Sequence, residues 1–324
     1  MNKFACAVLA VLTLLLSAGC ATQAVPDPAL TFIDQSRLPV ANASMQIAGL
    51  GPCTDNPDRT LRLASDQPVT VLVHGCFSSA GLFRGLAQVL AFHGQQTACF
   101  TYNDRDSLKV SSSQLATAVG QLGQHLDSQR IAIIGHSQGA LIARKALVAE
   151  GGNIAPNAQL RLVTVSGPFA GIAAANTCGN RSLRVLSLGI VNAICQAVTG
   201  DKWSEITQTS PFILEPGHLN ARVQEHLKVV TDERGSCRRI DNGSCAESDA
   251  IFSLAEQRNP VVDSDPLVKI VEVKAGHVEI VGDKRVAPAK LITILQQHQV
   301  IRPTEPGRMA KLGQLLAQLY GEAR

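Results

Sequence analysis

Aromatic and charged residues are scarce in this chain of 324 residues. Aromatic residues make up 4% of it and charged residues 17%, the formal net charge is +3, and no run of Lys and Arg is longer than two residues. Because binding to nucleic acid relies on clustered positive charge, the sequence argues against a nucleic-acid partner. Hydrophobic residues account for 45% of the chain, enough to build a large core, which excludes disordered and fibrous proteins.

After the first twenty residues, no long run without charge has the apolar density of a membrane span. The apolar run at 4–16 follows the positive charge of Lys3, is short for a bilayer span, and leads into Ser-Ala-Gly directly before Cys20. These features predict a signal peptide that is removed from the mature chain. An ordinary secretory peptide cut near Ala18 or Ala21, or an uncleaved anchor, is the alternative.

The end of this segment resembles the bacterial lipobox. The resemblance implies that residues 1–19 are removed and that Cys20 carries acyl chains, palmitate among them, which tether the mature protein to a membrane. Ala21 after the modified cysteine favours the outer membrane of the bacterial cell envelope, facing the periplasm. Residues 20–60, which contain several prolines and glycines, are predicted to form a tether and an edge segment.

The cysteines lack the spacing of a metal site. No CxxC pair occurs, so a zinc site is not expected. An oxidising periplasm permits disulfides, and close spacing suggests two of them, Cys178–Cys195 and Cys237–Cys245. Beyond the first twenty residues the number of cysteines is odd, which leaves at least one thiol free. None lies in a recognisable activating motif, and we therefore expect structural cysteines rather than a catalytic one.

Strand-like and helix-like segments alternate from about residue 68 onward. A run of mostly β-branched residues at 69–73 predicts a strand buried on both faces, a helix follows up to Gly94, and residues 97–102 predict the next strand. Further strands are predicted at 131–134, 160–165, 250–254 and 268–273. The alternation predicts an α/β fold with a mostly parallel, doubly wound sheet, because right-handed crossovers place helices on both faces.

The alternation is interrupted between residues 168 and 249. This stretch contains an apolar run at 183–198 and indicates a lid or cap inserted into a domain that spans 61–324. Helices are predicted again near 289–297 and from Met309 onward, where leucines recur on one stripe of an amphipathic helix.

The chemistry concentrates at Ser137. Residues 135–139 read GHSQG and match G-x-S-x-G directly between a predicted strand and a predicted helix. Such a sharp turn lifts the serine hydroxyl above the edge of the sheet, and it requires glycines because side chains there would clash with neighbouring backbone. Ser137 is therefore the predicted nucleophile, and a plain glycine-rich turn is the alternative.

A serine that attacks a carbonyl creates an oxyanion, which needs N–H donors. The N–H of Gln138 lies at the start of a predicted helix, where the helix dipole favours negative charge. A second donor is expected in the loop after the strand at 69–73, where residues 74–76 read His-Gly-Cys. We assign it to the backbone N–H of Cys76.

The nucleophile also needs a general base, and in this architecture the chain order is nucleophile, acid, histidine. His277 follows the predicted strand at 268–273 and is the predicted base. The alternative, His298, lies among glutamines on a helix face that is predicted to be exposed.

The acid is expected just past the predicted strand at 250–254. Glu256, Asp263 and Asp265 are the carboxylates available there. Glu256 is closest to the end of that strand and is preferred, with Asp263 as the second candidate. Either would hold the imidazole in one tautomer and stabilise its positive charge.

With these motifs, the stretch 69–300 resembles the α/β-hydrolases, and among them the lipase and esterase group. The resemblance rests on Val-His-Gly at 73–75, GHSQG at 135–139, Pro-x-x-Gly at 168–171 and Ser-Pro-Phe at 210–212, the last similar to a segment of lipase lids. It implies the α/β-hydrolase fold with a lid, and ester hydrolysis by Ser137 and His277. At one position where these enzymes usually carry the acid, this sequence has Asn259.

The sequence thus predicts a serine carboxylic-ester hydrolase of the carboxylesterase or triacylglycerol lipase type. It would work through an acyl-enzyme, without metal or cofactor. Its expected partners are a small-molecule or lipid ester as substrate and, through the N-terminal anchor, a membrane. An acyltransferase or thioesterase with the same triad is one alternative, and a non-catalytic envelope protein of the same fold is another.

Overall fold

A central sheet of seven strands organises the computed structural model of this chain. The structure describes residues 37–76, 78–149, 158–175, 200–283 and 285–321, which all belong to one compact unit. The strands of these residues are β1 Ala43–Met45, β2 Leu50–Gly51, β3 Leu61–Leu63, β4 Val69–Val73, β5 Gln96–Phe100, β6 Arg130–His136, β7 Gln159–Val165, β8 Val223–Asp232, β9 Cys237–Asp241, β10 Ser244–Ser248 and β11 Val268–Lys274.

The helices of the same residues vary widely in length. They are α1 Arg84–Phe92, α2 Leu108–Gln124, α3 Gln138–Ala146, α4 Pro211–Leu214, α5 Leu254–Gln257, α6 Pro260–Asp263, α7 Ala289–Gln297 and α8 Met309–Tyr320, with short 3₁₀ turns at Ala80–Phe83, Ala173–Ala175, Asp201–Ser204 and Pro306–Arg308. The predicted helices near 289–297 and from Met309 onward both form.

The sheet follows the order β11-β8-β7-β6-β4-β5-β2. Neighbouring strands pair in parallel from β11 to β5, and β2 pairs antiparallel with β5 at the edge. All five residues of β4 are buried, as the β-branched run at 69–73 predicted. The prediction of a mostly parallel α/β sheet is confirmed.

Helices cover both faces of the sheet and create two hydrophobic cores. One core contains Leu115 of α2 and Leu141 of α3. The other contains Leu86 of α1 and Leu291 of α7, with Tyr320 of α8 packed among them. The sheet is therefore doubly wound, as the alternation of segments predicted.

The order of the strands reverses at β4. The chain runs from β4 to β5 on one side and then returns to β6 on the other side of β4. In open α/β sheets such a reversal leaves a crevice at the carboxyl ends of the two diverging strands. Here those ends lead into Gly75 after β4 and Ser137 after β6.

Two sequence predictions about the second half of the sheet are wrong. Residues 250–253 form no strand but a loop that leads into α5, and the predicted insertion at 168–249 contains β8, a full member of the sheet. The polar residues His226 and Lys228 concealed β8, because they interrupt its apolar pattern. Both are buried: His226 Nε2 bonds the Thr164 hydroxyl at 2.8 Å, while its Nδ1 has no hydrogen-bond partner among the described residues, and Lys228 pairs with Asp263.

Two disulfides link the described residues. Cys237–Cys245 forms as predicted and closes the hairpin of β9 and β10. Cys53–Cys99 was not predicted; it fastens the segment after β2 to β5 across 46 positions of sequence. Cys76 is the free cysteine of the described residues.

Several predictions fall on residues that the structure does not describe. They are the signal segment at 1–19, the lipidation of Cys20, the first part of the tether, the apolar run at 183–198 and the pair Cys178–Cys195. Within the described part of the chain, the helices are too short or too polar to cross a membrane. Of the predicted tether and edge segment at 20–60, residues 37–60 are described; they contain β1, which pairs antiparallel with β3, and the edge strand β2.

Candidate active site

Ser137 occupies a sharp turn between β6 and α3. Its backbone has φ 57° and ψ −125°, an unusual conformation for a residue with a side chain. The turn is held by the Ser137 N–H, which donates to Val165 O at 2.9 Å, and by the Ala140 N–H, which donates to Ser137 O at 3.0 Å. Backbone strain that the surrounding structure holds in place is a common property of functional residues.

The two glycines that flank Ser137 are required by close contacts. A Cβ at Gly135 would lie 2.4 Å from the carbonyl oxygen of Gly139, and a Cβ at Gly139 would lie 2.3 Å from the carbonyl oxygens of Val73 and His74. Both distances are far shorter than carbon and oxygen tolerate. The GHSQG pattern is thus explained by the sharp turn, as the G-x-S-x-G motif predicted.

Ser137 and His277 lie together, although 140 positions separate them in the chain. The Nε2 atom of His277 is 3.0 Å from the Oγ atom of Ser137. Both residues are buried, with 7% of Ser137 and 6% of His277 exposed. His277 reaches this position from the loop after β11, the last strand of the sheet.

Glu233, which was not among the carboxylates predicted from the sequence, contacts the other side of the imidazole. Its Oε1 atom is 2.9 Å from Nδ1 of His277 and accepts a hydrogen bond from the Thr231 hydroxyl at 2.9 Å. Its Oε2 atom accepts from the backbone N–H groups of Ile251 at 2.6 Å and Phe252 at 2.7 Å. With a proton on Nδ1, His277 donates to Glu233 and can accept the hydroxyl proton of Ser137 at Nε2.

The two carboxylates chosen from the sequence do not contact His277. Glu256 forms a capping box with Ser253 at the start of α5 and accepts from the Ala173 N–H at 2.9 Å. Asp263 pairs with Lys228. The prediction of Glu256, or of Asp263, as the partner of the imidazole is therefore wrong.

Asn259 lies at a position where α/β-hydrolases usually carry the acid of the triad, and here it has a structural role. Its side-chain oxygen accepts from two N–H groups at the start of α6, and its amide donates to Phe169 O at 2.8 Å. The signal that could have pointed to Glu233 is its place at the end of β8, because Ser137, Glu233 and His277 follow one another in the chain order that was expected for nucleophile, acid and histidine.

Aromatic rings enclose the imidazole of His277. The ring of Phe252 meets it edge-on, with centroids 4.8 Å apart, and the ring of His136 lies at the same centroid distance. The Nε2–H of His136 donates to His277 O at 2.8 Å. Burial, together with the nearby charge of His277, lowers the pKa of His136 to about 3, so His136 is neutral near pH 7.

The loop after β4 lies directly against Ser137. A Cβ at Gly75 would be 2.9 Å from Cβ of Ser137, so this position has no room for a side chain. His74 is ordered by a hydrogen bond between its Nδ1 and Gly75 O at 2.9 Å and stacks on Tyr102, whose hydroxyl donates to His74 O at 2.8 Å. The predicted oxyanion donors, the N–H groups of Cys76 and Gln138, belong to the residues that follow Gly75 and Ser137.

The thiol of Cys76 accepts a hydrogen bond from Lys202. The Nζ of Lys202 donates to Cys76 Sγ at 2.9 Å and lies 3.5 Å from a carboxylate oxygen of Asp104. Burial raises the pKa of the Cys76 thiol, despite the opposing effect of Lys202. Since the thiolate is the nucleophilic form of cysteine, this environment favours a structural cysteine.

In the described part of the chain, no group of three or more His, Cys, Asp and Glu residues is arranged to bind a metal ion.

Comparison with known proteins gives one family match and several structural ones. The family model of palmitoyl protein thioesterases matches residues 69–222. No curated protein matches the sequence.

The structural matches have low sequence identity. The mature lipase BlEst2 of Bacillus licheniformis is 14% identical, with a TM-score of 0.47 over 80% of this chain and 98% of the lipase. Esterase B of Lactobacillus rhamnosis, inhibited by a tributyrin phosphonate, is 12% identical, with a TM-score of 0.47 over 93% of this chain and 95% of the esterase. A lipase-esterase related protein of Clostridium acetobutylicum is 13% identical, with a TM-score of 0.42 over 72% of this chain and 94% of that protein.

The strand order and the turn at Ser137, together with the family match, give this chain the α/β-hydrolase fold. This is the fold that esterases, lipases and thioesterases share.

Proposed function

We propose that the protein is a serine carboxylic-ester hydrolase whose catalytic triad is Ser137, His277 and Glu233. The observation that carries the proposal is the continuous chain of hydrogen bonds from Ser137 Oγ through the imidazole to the Glu233 carboxylate, at 3.0 Å and 2.9 Å. A serine, a histidine and a buried carboxylate in this arrangement are the parts that acyl transfer needs.

The reaction would begin with attack of Ser137 Oγ on the acyl carbonyl while His277 Nε2 takes the hydroxyl proton. Glu233 would stabilise the resulting imidazolium through its hydrogen bond to Nδ1. The tetrahedral oxyanion would bind the backbone N–H groups of Cys76 and Gln138, the latter at the positive end of α3. His277 would then protonate the leaving alcohol. In the second half of the reaction, His277 would take a proton from water as the water attacks the acyl-enzyme, and would return this proton to Ser137 Oγ as the acid leaves.

A thioesterase is the second candidate, because the family model that matches residues 69–222 describes palmitoyl protein thioesterases. A thioester presents the same acyl carbonyl to Ser137 and differs in its leaving thiol, so the triad serves both reactions. An acyltransferase would use an acceptor other than water. The substrate in each case would be a small-molecule or lipid acyl compound.

We also propose that the protein resides in the bacterial cell envelope, tethered by acyl chains on Cys20 to the outer membrane and facing the periplasm. The lipobox-like end of the first twenty residues supports this location. The two disulfides, Cys53–Cys99 and Cys237–Cys245, agree with an oxidising compartment. Incorporation of labelled palmitate into the wild type but not into Cys20→Ala tests the anchor, and equal incorporation into both contradicts it.

Fluorophosphonate labelling tests the enzymatic proposal. The wild type should be labelled at Ser137 and should hydrolyse p-nitrophenyl esters, whereas Ser137→Ala should lose labelling and at least about 10⁴-fold in kcat. Absence of Ser137-dependent labelling and turnover contradicts a serine hydrolase. Esters and acyl-thioesters matched in chain length, from acetyl to palmitoyl, then separate the two candidates by their kcat/KM, and product analysis with added alcohols detects acyl transfer.

A further inference from the structure

We propose that Asp249 is a positioning residue that keeps the His277 loop aligned with Ser137, an inference that rests on the proposed hydrolase function. Asp249 lies directly after β10, at the end of the hairpin that Cys237–Cys245 closes. Among the described residues, Asp249 forms no hydrogen bond with the Ser137 hydroxyl or with the imidazole of His277. It acts through the backbone that carries His277.

Three consecutive N–H groups of the histidine loop donate to Asp249. The His277 N–H donates to the carbonyl oxygen of Asp249 at 2.9 Å. The Val278 N–H donates to one carboxylate oxygen of Asp249 at 3.0 Å, and the Glu279 N–H donates to the other at 3.0 Å. A single residue thus fixes the backbone of the base and of the two residues that follow it.

These N–H groups belong to the start of a helical turn. The N–H of Ile280 donates to Gly276 O at 3.2 Å and that of Gly282 to Val278 O at 3.0 Å, which closes the turn. The first N–H groups of such a turn have no partners inside it, and a carboxylate is the side chain best able to accept them. Asp249, of which 2% is exposed, provides these acceptors from a separate loop.

Gly276 makes room for the Asp249 carboxylate. A Cβ at Gly276 would lie 2.0 Å from Oδ2 of Asp249, closer than two unbonded atoms can approach. The backbone of Gly276 does not have a positive φ, so alanine is compatible with its conformation. The Asp249 carboxylate, and not the conformation of the turn, therefore requires glycine at position 276. Substitutions of Asp249 and Gly276 can for this reason be combined in a double-mutant cycle.

The loop that begins at Asp249 also holds the triad acid. The Asp249 N–H donates to Ser236 O at 3.0 Å, and the N–H groups of Ile251 and Phe252 bind the Glu233 carboxylate. Residues 249–252 therefore contact the acid through its side chain and the base through its backbone. Displacement of Asp249 would change the position of the imidazole relative to both Ser137 and Glu233.

Steady-state kinetics and the rate of fluorophosphonate labelling test the role of Asp249. Asp249→Ala should lower kcat and the labelling rate about 10²-fold, the loss expected for a displacement of about 1 Å, with KM unchanged because Asp249 does not reach the substrate. Asp249→Asn retains one acceptor oxygen and should lose about tenfold. Asp241→Ala, an exposed acidic residue of the same hairpin, should retain wild-type kcat.

A double-mutant cycle separates positioning from general damage. Gly276→Ala alone should lower kcat about as much as Asp249→Ala, because the added methyl group expels the carboxylate. Asp249→Ala combined with Gly276→Ala should lose far less than the product of the two separate losses, since the clash with the carboxylate has been removed and only the contact between the two Cβ atoms, at 2.9 Å, remains. Multiplied losses in the double variant overturn the proposal.

Two further outcomes test the positioning role of Asp249. Wild-type kcat in folded Asp249→Asn and Asp249→Ala overturns the proposal, and if Asp249→Ala does not fold, the result for Asp249→Asn decides. Failure of the proposed function is distinguishable, because the wild type would then show no Ser137-dependent labelling. A wild type that is labelled, together with Asp249 variants labelled at the wild-type rate, contradicts the positioning role alone.

Discussion

The carboxylate of Glu233 lies 2.9 Å from Nδ1 of His277, although 44 positions separate the two residues in the chain. Sheet register explains the contact. β8 and β11 are parallel neighbours in which Asp232 is opposite Lys274, so both strands end at the same level. Glu233 directly follows β8, and His277 comes three residues after β11, which brings both side chains to the same end of the sheet.

Substitution of Glu233 should reduce catalysis without disturbing the substrate site. Glu233→Gln removes the charge that would stabilise the imidazolium and can present its amide N–H to Nδ1, which favours the wrong tautomer. By comparison with the effect of such substitutions in serine proteases, kcat for a p-nitrophenyl ester should fall by about 10⁴-fold. Glu256→Gln, in the capping box of α5, is the matched control and should keep kcat within about twofold, because a glutamine can still occupy this position. Equal losses in both variants contradict the assignment of the acid.

The contact between Ser137 and His277 could be predicted from the sequence because the signals of both residues are local. The pattern at 135–139 reflects clashes within a single turn, and a histidine after the last strand of a parallel sheet has few competitors. The contact of Glu233 with His277 could not be predicted in this way, since it depends on which segment is the strand before the last one. β8 carries a glutamate, a histidine and a lysine within four residues, and their partners come from other strands and helices.

Cys53–Cys99 illustrates a second limit of the sequence. Its cysteines are 46 positions apart, and they meet because β2 pairs with β5 at the edge of the sheet. Cys237 and Cys245 are eight positions apart within one hairpin, so spacing alone suggested their pairing. Local spacing predicts local links, whereas a link between distant strands requires the sheet order.

The two disulfides should affect different properties of the protein. The model of loop-closure entropy assigns a link across 46 residues about 4 kcal/mol and a link across 8 residues about 2.5 kcal/mol. Cys53→Ala with Cys99→Ala should therefore lower the free energy of unfolding by up to that larger amount, with kcat unchanged. Cys237→Ala with Cys245→Ala should lower kcat, since its hairpin connects Glu233 to Asp249.

Urea unfolding and ester hydrolysis measure the two effects separately. Cys245 is exposed, whereas Cys99 is fully buried, so mild reductant should reach Cys237–Cys245 first. Activity of the wild type should then decline before its unfolding midpoint does. A loss of stability that precedes any loss of activity contradicts this order.

The pair of Lys228 and Asp263 should show asymmetric effects on stability. Burial lowers the pKa of Lys228 to about 8, against the opposing effect of Asp263. The Lys228 side chain is 1% exposed, so Asp263→Ala would leave a buried charge without its partner and should cost about 3 kcal/mol in the free energy of unfolding. Lys228→Met should be neutral or stabilising, because Asp263 remains 3.7 Å from Arg258. Urea unfolding at pH 7 measures both, and equal losses in the two variants contradict the prediction.

His136 should make the stability of the protein depend on acid pH. Its pKa in the folded state is about 3, below the usual value of 6.5, so between these values the unfolded chain binds a proton that the folded protein does not. Its contribution to stability is therefore complete above pH 6.5 and is lost as the pH falls toward 3. At 1.36 kcal/mol for each pH unit, the loss between pH 6.5 and pH 4 is about 3 kcal/mol.

His136→Gln isolates this effect, because glutamine can still donate to His277 O but does not titrate. Urea unfolding at pH 7 and pH 4 should show that the wild type loses about 3 kcal/mol more than His136→Gln between the two values. His125→Gln, which replaces an exposed histidine at the end of α2, is the control and should lose as much as the wild type. Parallel pH dependence of the wild type and His136→Gln would show that His136 carries a proton in the folded protein at pH 4, contrary to its burial against His277.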